Sequence, residues 1–193
     1  LENDQNNFPY QGLWLFTGCQ GAGKTLMMMH LVKQMHEEYP EAIICSNISI
    51  FGLPCVPYTG VECFDKYANG HKGCIFVIDE IHTLFSSLQS SKMPESTLTV
   101  WSQNRKNRRV ILGTSQRFTR VAKGIREQTL YNYECRKPLF CFYGYRVVEA
   151  DLYDDNGRFI GEKPPSWSWY VPKVSVMRCY NTLEVVRREN FNE

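Results

Sequence analysis

The sequence predicts an α/β fold: a mainly parallel central sheet flanked by helices, with a C-terminal antiparallel β extension. Three observations lead there. Up to about residue 129, apolar strand-like runs alternate with helix-like segments, which is the pattern of a parallel sheet covered by helices. A glycine-rich turn joins the first such strand to the first helix. Beyond residue 129 the texture becomes aromatic and alternating, as antiparallel strands with one solvated face require. A chain of 193 residues with 43% hydrophobic and 22% charged residues suits one core rather than two, and excludes a disordered or fibrous protein.

Leu13-Trp14-Leu15-Phe16 reads as a short buried strand. Lys24 to about Met35 reads as a helix, with Leu26, Met29, Leu31 and Met35 on or near one face. Ala42 to Ile50 is the second expected strand and Cys74 to Asp79 the third. Pro94 to about Lys106 is an expected helix, since proline is favoured in a first turn. Arg109 to Gly113 follows as a strand ending in Thr114-Ser115-Gln116. Leu130 to Tyr153 reads as antiparallel, extending one sheet edge, and Asp155-Asn156-Gly157 marks a hairpin turn before Arg158-Phe159-Ile160. Trp167 and Trp169 share one face of an extended stretch; packing at the edge is the leading reading and a stacking platform for bases the other. The expected organisation is a single domain, residues 1–193, with a core over 1–129 and a β-rich extension over 130–193 packed on it.

Several classes drop out on composition. A net charge of +2 does not by itself make the chain a polyanion binder. No apolar run approaches the ~18–20 residues of a membrane span, and the acidic, polar start Leu1-Glu2-Asn3-Asp4 is no signal peptide. The eight cysteines, at 19, 45, 55, 63, 74, 135, 141 and 179, form no CxxC pair and no metal-ligand spacing, so reduced thiols in a cytoplasmic protein without zinc are expected. His30, His36, His71 and His82 also lack ligand spacing and read as surface or packing residues.

Gly18-Cys19-Gln20-Gly21-Ala22-Gly23-Lys24-Thr25 matches G-x-x-x-x-G-K-[ST] in full, between an apolar strand and an apolar-periodic helix that opens with Leu26. Glycines let the backbone wrap close to phosphate oxygens, and the helix N-terminus adds positive potential there. The expected ligand is ATP: residues 18–26 cradle the phosphates, Lys24 neutralises the β- and γ-phosphates, and the Thr25 hydroxyl binds Mg²⁺. Cys74-Ile75-Phe76-Val77-Ile78-Asp79-Glu80 is an apolar strand ending in two acids. Ligands gather at the carboxyl edge of parallel sheets, so Asp79 is expected to hold Mg²⁺, through water, and Glu80 to orient or deprotonate the attacking water.

From Gln103 to Arg126 the chain carries Arg105, Lys106, Arg108, Arg109, Arg117, Arg120, Lys123 and Arg126 and no acid. This run suits a polyanion surface, DNA above all, or cations delivered to a neighbouring subunit's nucleotide; a solvated basic face is the plain alternative. Gln116, just after a strand, suits a reader of the γ-phosphate or of the attacking water.

The phosphate loop, Val-Ile-Asp-Glu with the stretch Ile81 to Phe85, Gln103-Asn104-Arg105, a strand ending in Gln116, Ile125-Arg126 and the closing Tyr180-Asn181-Thr182-Leu183-Glu184 together resemble the Zot family. That family comprises the N-terminal domains of zonular-occludens-toxin-like proteins and the gene I assembly proteins of filamentous phages, in the FtsK/HerA branch of P-loop motors. The resemblance implies phosphate and Mg²⁺ roles for Lys24 and Thr25, metal and catalytic roles for Asp79 and Glu80, and a polar sensor at Gln116. It implies an arginine finger acting across a subunit boundary, Arg126 or Arg105. Family members often have His where this chain has Asn104, and usually carry a membrane span after this domain. A free-standing packaging motor and an anchor lying outside these residues are both open readings.

The expected function is an oligomeric ATPase, ring-shaped by family resemblance, that moves phage or viral DNA in assembly, extrusion or packaging in the host cytoplasm, with a capsid or membrane partner. A P-loop small-molecule or nucleoside kinase is one alternative, distinguished by whether ATP turns over without an acceptor. A nucleotide-dependent assembly scaffold is the other, and Glu80 argues against it.

Overall fold

The computed structural model describes residues 7–84, 108–139 and 142–180. The expected helix over 94–106 lies outside them, as do Arg105, Cys141 and most of the closing segment. The strands are β1 (Gly12–Thr17), β2 (Ile43–Ser46), β3 (Val56–Pro57), β4 (Cys74–Ile78), β5 (Arg109–Ser115), β6 (Thr129–Leu139), β7 (Phe142–Glu149) and β8 (Ser168–Tyr170). They form one sheet in the order β3-β2-β4-β5-β1-β6-β7-β8. From β3 to β6 all pairings are parallel, and β7 and β8 add antiparallel strands at one edge.

β4 and β5 are buried along their whole length, as continuous apolar strands covered on both faces should be. Helix α1 (Lys24–Glu38) covers one face, where Met28, Met29, Val32 and Met35 meet Phe16, Val77 and Leu112. On the other face Leu13, Leu15, Phe76 and Ile78 pack with Ile81, Val121 and Ile125 from the segments that follow β4 and β5.

Two boundaries differ from the sequence reading for local reasons. α1 continues to Glu38, a turn past Met35. β2 stops at Ser46 because the Ser46 hydroxyl both accepts from Ile48 N–H (3.1 Å) and donates to Ile48 C=O (2.9 Å), turning the chain out of the sheet. The larger correction concerns Leu130 to Tyr153. Its first strand, β6, runs parallel to β1, in register Leu13↔Thr129 and Thr17↔Glu134, and only β7 and β8 are antiparallel. The segment between β5 and β6 returns along the covered face, with Phe118, Val121 and Ile125 buried, and delivers Thr129 beside Leu13. Alternation shows which face of a strand is buried but not its direction.

The turn at Asp155-Asn156-Gly157 is present. Gly157 adopts φ 72° and donates to Asp154 C=O at 2.9 Å, and Tyr153 pairs antiparallel with Phe159. Trp167 and Trp169 pack the sheet edge. Trp169 lies so close over Gly144 that a Cβ there would meet its ring at 2.5 Å, and the Arg136 guanidinium sits 3.8 Å from the Trp167 ring and 4.7 Å from that of Trp169.

The basic run does not form one face. Arg109 is 1% exposed, donates to Phe64 C=O and lies against the Phe64 and Phe76 rings. It therefore belongs to the core rather than to a polyanion surface. Arg108 and Arg109 sit at the amino end of the seven-residue β5, about 20 Å from Arg117 and Arg120 beyond its other end. Replacing Arg109 with Ala removes its bond to Phe64 C=O and opens a cavity, an expected loss of about 2–4 kcal/mol in urea unfolding. Arg109→Met fills the space without a desolvated charge and should cost less than half as much. Equal losses for the two variants would show that the guanidinium itself matters.

Candidate nucleotide site

The loop from β1 to α1 is shaped for an anion. Gly18 backs onto Cys135 C=O, where a Cβ would approach to 2.4 Å, and Gly23, at φ 86°, lies against the Tyr143 ring, also 2.4 Å from an added Cβ. Gly23 is the N-cap of α1. It makes no side-chain cap, and the first turn holds no acid, so the unpaired N–H donors of that turn stay available to phosphate oxygens. Lys24 is buried, and its Nζ donates to Cys19 C=O at 3.0 Å across the mouth of the loop.

Two acids stand beside this loop at the end of β4. The Thr25 hydroxyl donates to Asp79 Oδ1 at 2.9 Å, and the Thr114 hydroxyl donates to the same oxygen at 2.6 Å. Asn47 clasps the Asp79 backbone on both sides: its Oδ1 accepts from Asp79 N–H at 2.8 Å and its Nδ2 donates to Asp79 C=O at 2.9 Å. Glu80 takes the left-handed conformation, φ 53° and ψ 44°, while its N–H donates to the Thr114 hydroxyl at 2.8 Å. Its Oε2 lies 3.1 Å from His82 Nε2. Burial, then the Asp79 charge, pushes the Glu80 carboxyl upward, against the pull of Lys24 and Arg120. Burial and the charges of Arg120 and Lys24 push the His82 imidazole down, favouring its neutral form.

Mg²⁺ and a nucleotide fit this arrangement. A hydroxyl whose proton is given to a carboxylate turns its lone pairs outward, which is how Thr25 would meet a cation. Among the described residues no group of three or more His, Cys, Asp or Glu could hold a metal, so Mg²⁺ here would rest on Thr25, Asp79, water and phosphate oxygens. Bound there, the ion would neutralise the β- and γ-phosphate oxygens.

Of the residues expected from sequence, Gly18 to Leu26, Asp79 and Glu80 converge on this edge. Gln116 lies beyond β5 and lines a cleft of about 390 Å³ with Thr17, Gly18, Asn132 and Trp167. Arg126 sits farther along, where Nε donates to Val121 C=O (3.1 Å), Nη1 donates to Asp155 C=O (3.2 Å), and the guanidinium lies over Phe118. Acting across a subunit boundary would require it to release those bonds.

Sequence reasoning missed four participants. Asn47 and Thr114 stand at the carboxyl ends of β2 and β5, either side of β4, and polar residues ending apolar runs were the available signal. His82, read as surface or packing, instead contacts Glu80. Asn132 is 1% exposed and accepts from the Thr17 hydroxyl at 2.9 Å, just before Gly18. It begins a chain in which Asn132 Nδ2 donates to Tyr153 OH (3.0 Å), Tyr153 OH to Glu134 Oε1 (2.6 Å), and Arg146 Nε to Glu134 Oε2 (2.6 Å).

A phosphate loop on the central strand of a parallel sheet, with an acid pair at the carboxyl end of β4, defines a P-loop NTPase. Residues 14–137 match the family described as ATPase family associated with various cellular activities (AAA), and the chain belongs to it. Among solved structures it is similar to the N-terminal domain of zonular occludens toxin from Neisseria meningitidis, with TM-score 0.67 and 14% identity over 88% of this chain and 98% of that one. It is also similar to the genome packaging NTPase B204 of Sulfolobus turreted icosahedral virus 2 in complex with ATP-γS, with TM-score 0.54 and 12% identity over 83% and 97% of the two chains. The ATPase domain of G40P matches with TM-score 0.57 and 9% identity over 89% and 86%. These likenesses establish the fold. No curated protein matches the chain in sequence.

Thr114→Val removes both the donor to Asp79 and the acceptor of Glu80 N–H while keeping the shape. Nucleotide turnover is expected to fall roughly 10- to 100-fold in a chain that still folds. Unchanged steady-state rates would show that Asn47, Thr25 and His82 hold the acid pair without Thr114.

Proposed function

We propose that the chain is an ATP-hydrolysing motor, working as a homo-oligomeric ring, that drives phage or viral DNA translocation in virion assembly, extrusion or genome packaging. One observation carries the hydrolytic part: Glu80, held by Thr114 and His82, stands next to the Asp79–Thr25 corner. A protein that only bound nucleotide would need Asp79, but not a second, half-buried acid at the same edge. In this reading Lys24 and the loop donors hold the phosphates, Thr25 and Asp79 hold Mg²⁺, and Glu80 takes the proton of the attacking water. Gln116 senses the γ-phosphate, and Arg126 or Arg105 completes a neighbouring subunit's site.

The DNA part is supported by the solved neighbours, one titled a genome packaging NTPase and one a zonular occludens toxin domain. Cations beyond the carboxyl end of β5 also support it, with Arg117, Arg120 and Lys123 exposed, although Lys123 pairs with Asp155 at 3.0 Å. Residues 1–193 work in this reading as one unit, in the host cytoplasm. Among the described residues no helix is long and apolar enough to cross a membrane.

The test is ATP turnover against protein concentration, with single- or double-stranded DNA, and with Lys24→Ala as the blank. Specific activity should rise with concentration and respond to DNA; a rate indifferent to both would overturn the ring motor. Glu80→Gln should still bind ATP but lose about 10²-fold or more in turnover. Retained turnover would remove Glu80 from the role of base, and turnover only with an added phosphoryl acceptor would make the protein a kinase.

A further inference from the structure

Arg120 was one of many cations in the basic run, but its placement sets it apart. It closes the turn Phe118–Arg120 that follows β5, and its Nη1 donates to Gln116 Oε1 at 2.7 Å. The turn is firmly mounted. Phe118 stacks on Tyr153 with ring centroids 4.8 Å apart, Val121 and Ala122 are buried, and Arg126 bonds to Val121 C=O. The Arg120 side chain itself is exposed, so its charge is not spent on packing. Its field reaches Glu80 and His82, opposing protonation of both.

A glutamine amide has an acceptor end and a donor end. With Oε1 committed to a guanidinium, the end Gln116 has left to offer an anion is its Nε2 donor pair. We infer that Arg120 is a positioning residue acting within its own subunit: it sets the polarity of Gln116 so that the amide presents donors to a terminal phosphate, making the site tell a nucleoside triphosphate from a diphosphate. This rests on the nucleotide reading of the site and adds a cation distinct from the trans arginine. Without the guanidinium the amide is free to turn its carbonyl toward the phosphate, replacing an attraction with a repulsion.

The experiment is equilibrium binding of Mg²⁺–ATP-γS and of ADP to the wild-type chain, Arg120→Ala, Arg120→Lys, Gln116→Ala and the Ala/Ala double variant. Arg120→Ala should weaken the triphosphate analogue roughly tenfold or more and leave ADP within about twofold. Arg120→Lys keeps charge without the planar fork and should fall between. The double variant should bind the analogue no more weakly than the poorer single one, because both changes remove one interaction. Equal weakening of both nucleotides, no weakening, or additive losses would overturn the inference. If Arg120→Ala fails to fold in a thermal melt, Arg120→Lys and Gln116→Ala carry the same comparison.

Mixing Lys24→Ala subunits with Arg120→Ala subunits tests the cis assignment. An arginine acting in trans would be donated by the Lys24→Ala subunits and turnover would return; an arginine acting in cis leaves the mixture inactive. A wild-type chain that binds neither nucleotide would defeat the nucleotide reading itself. One that binds both, with Arg120→Ala indistinguishable from it, defeats this inference alone.

Discussion

The structure depends on how the Asp79 carboxylate is held. It ends a strand of five buried apolar residues, and a charge at such a place is tolerable only with hydrogen-bond partners. Thr25 brings the start of α1 and Thr114 the end of β5 to this carboxylate, while Asn47 fixes the end of β2 to the Asp79 backbone. Bonds to a charged acceptor contribute about 1.5–3 kcal/mol each, so the acid ties together the segments from which the site is built. The left-handed turn at Glu80 follows from it. Its N–H is held by the same Thr114 hydroxyl that donates to Asp79, and that bond offsets the roughly 1–2 kcal/mol cost of a non-glycine residue there.

A second set of contacts makes the C-terminal strands part of the nucleotide site. The phosphate loop leans on the extension at two glycines, Gly18 against Cys135 C=O and Gly23 against Tyr143. Beneath it the chain Thr17–Asn132–Tyr153–Glu134–Arg146 leads from the end of β1 into β7. Burial and its bond to Glu134 keep the Tyr153 phenol protonated as a donor well above neutral pH. Movement of β7 and β8 would therefore be felt at the loop, and nucleotide-dependent changes in the loop would be felt at the sheet edge.

The cations show how sequence proximity misleads. Arg109 stabilises a packed face by lying against two aromatic rings, and Arg126 holds the turn that presents Arg120. Among the described residues of the basic run, those past the carboxyl end of β5 share the edge that carries the phosphate loop. A strand separates neighbours in sequence by about 3.3 Å per residue, so a charge run that spans one divides between its ends.

The glycine pattern with its lysine and threonine, and the apolar run ending in Asp79-Glu80, were legible because backbone clearance and phosphate chemistry demand those residue types at those spacings. The alternating strand and helix runs likewise determined the α/β class, since each apolar segment must be covered. The direction of β6 was not legible, because side-chain alternation is the same in parallel and antiparallel strands. Nor were Asn47, Thr114, His82, Asn132 and Arg120, which are ordinary polar residues until the sheet order brings β2, β5 and β6 alongside β4 and β1. The sequence by itself determined which atoms can meet a phosphate; the tertiary structure decided which partners orient them, because those partners are distant in the chain and meet only through strand pairing.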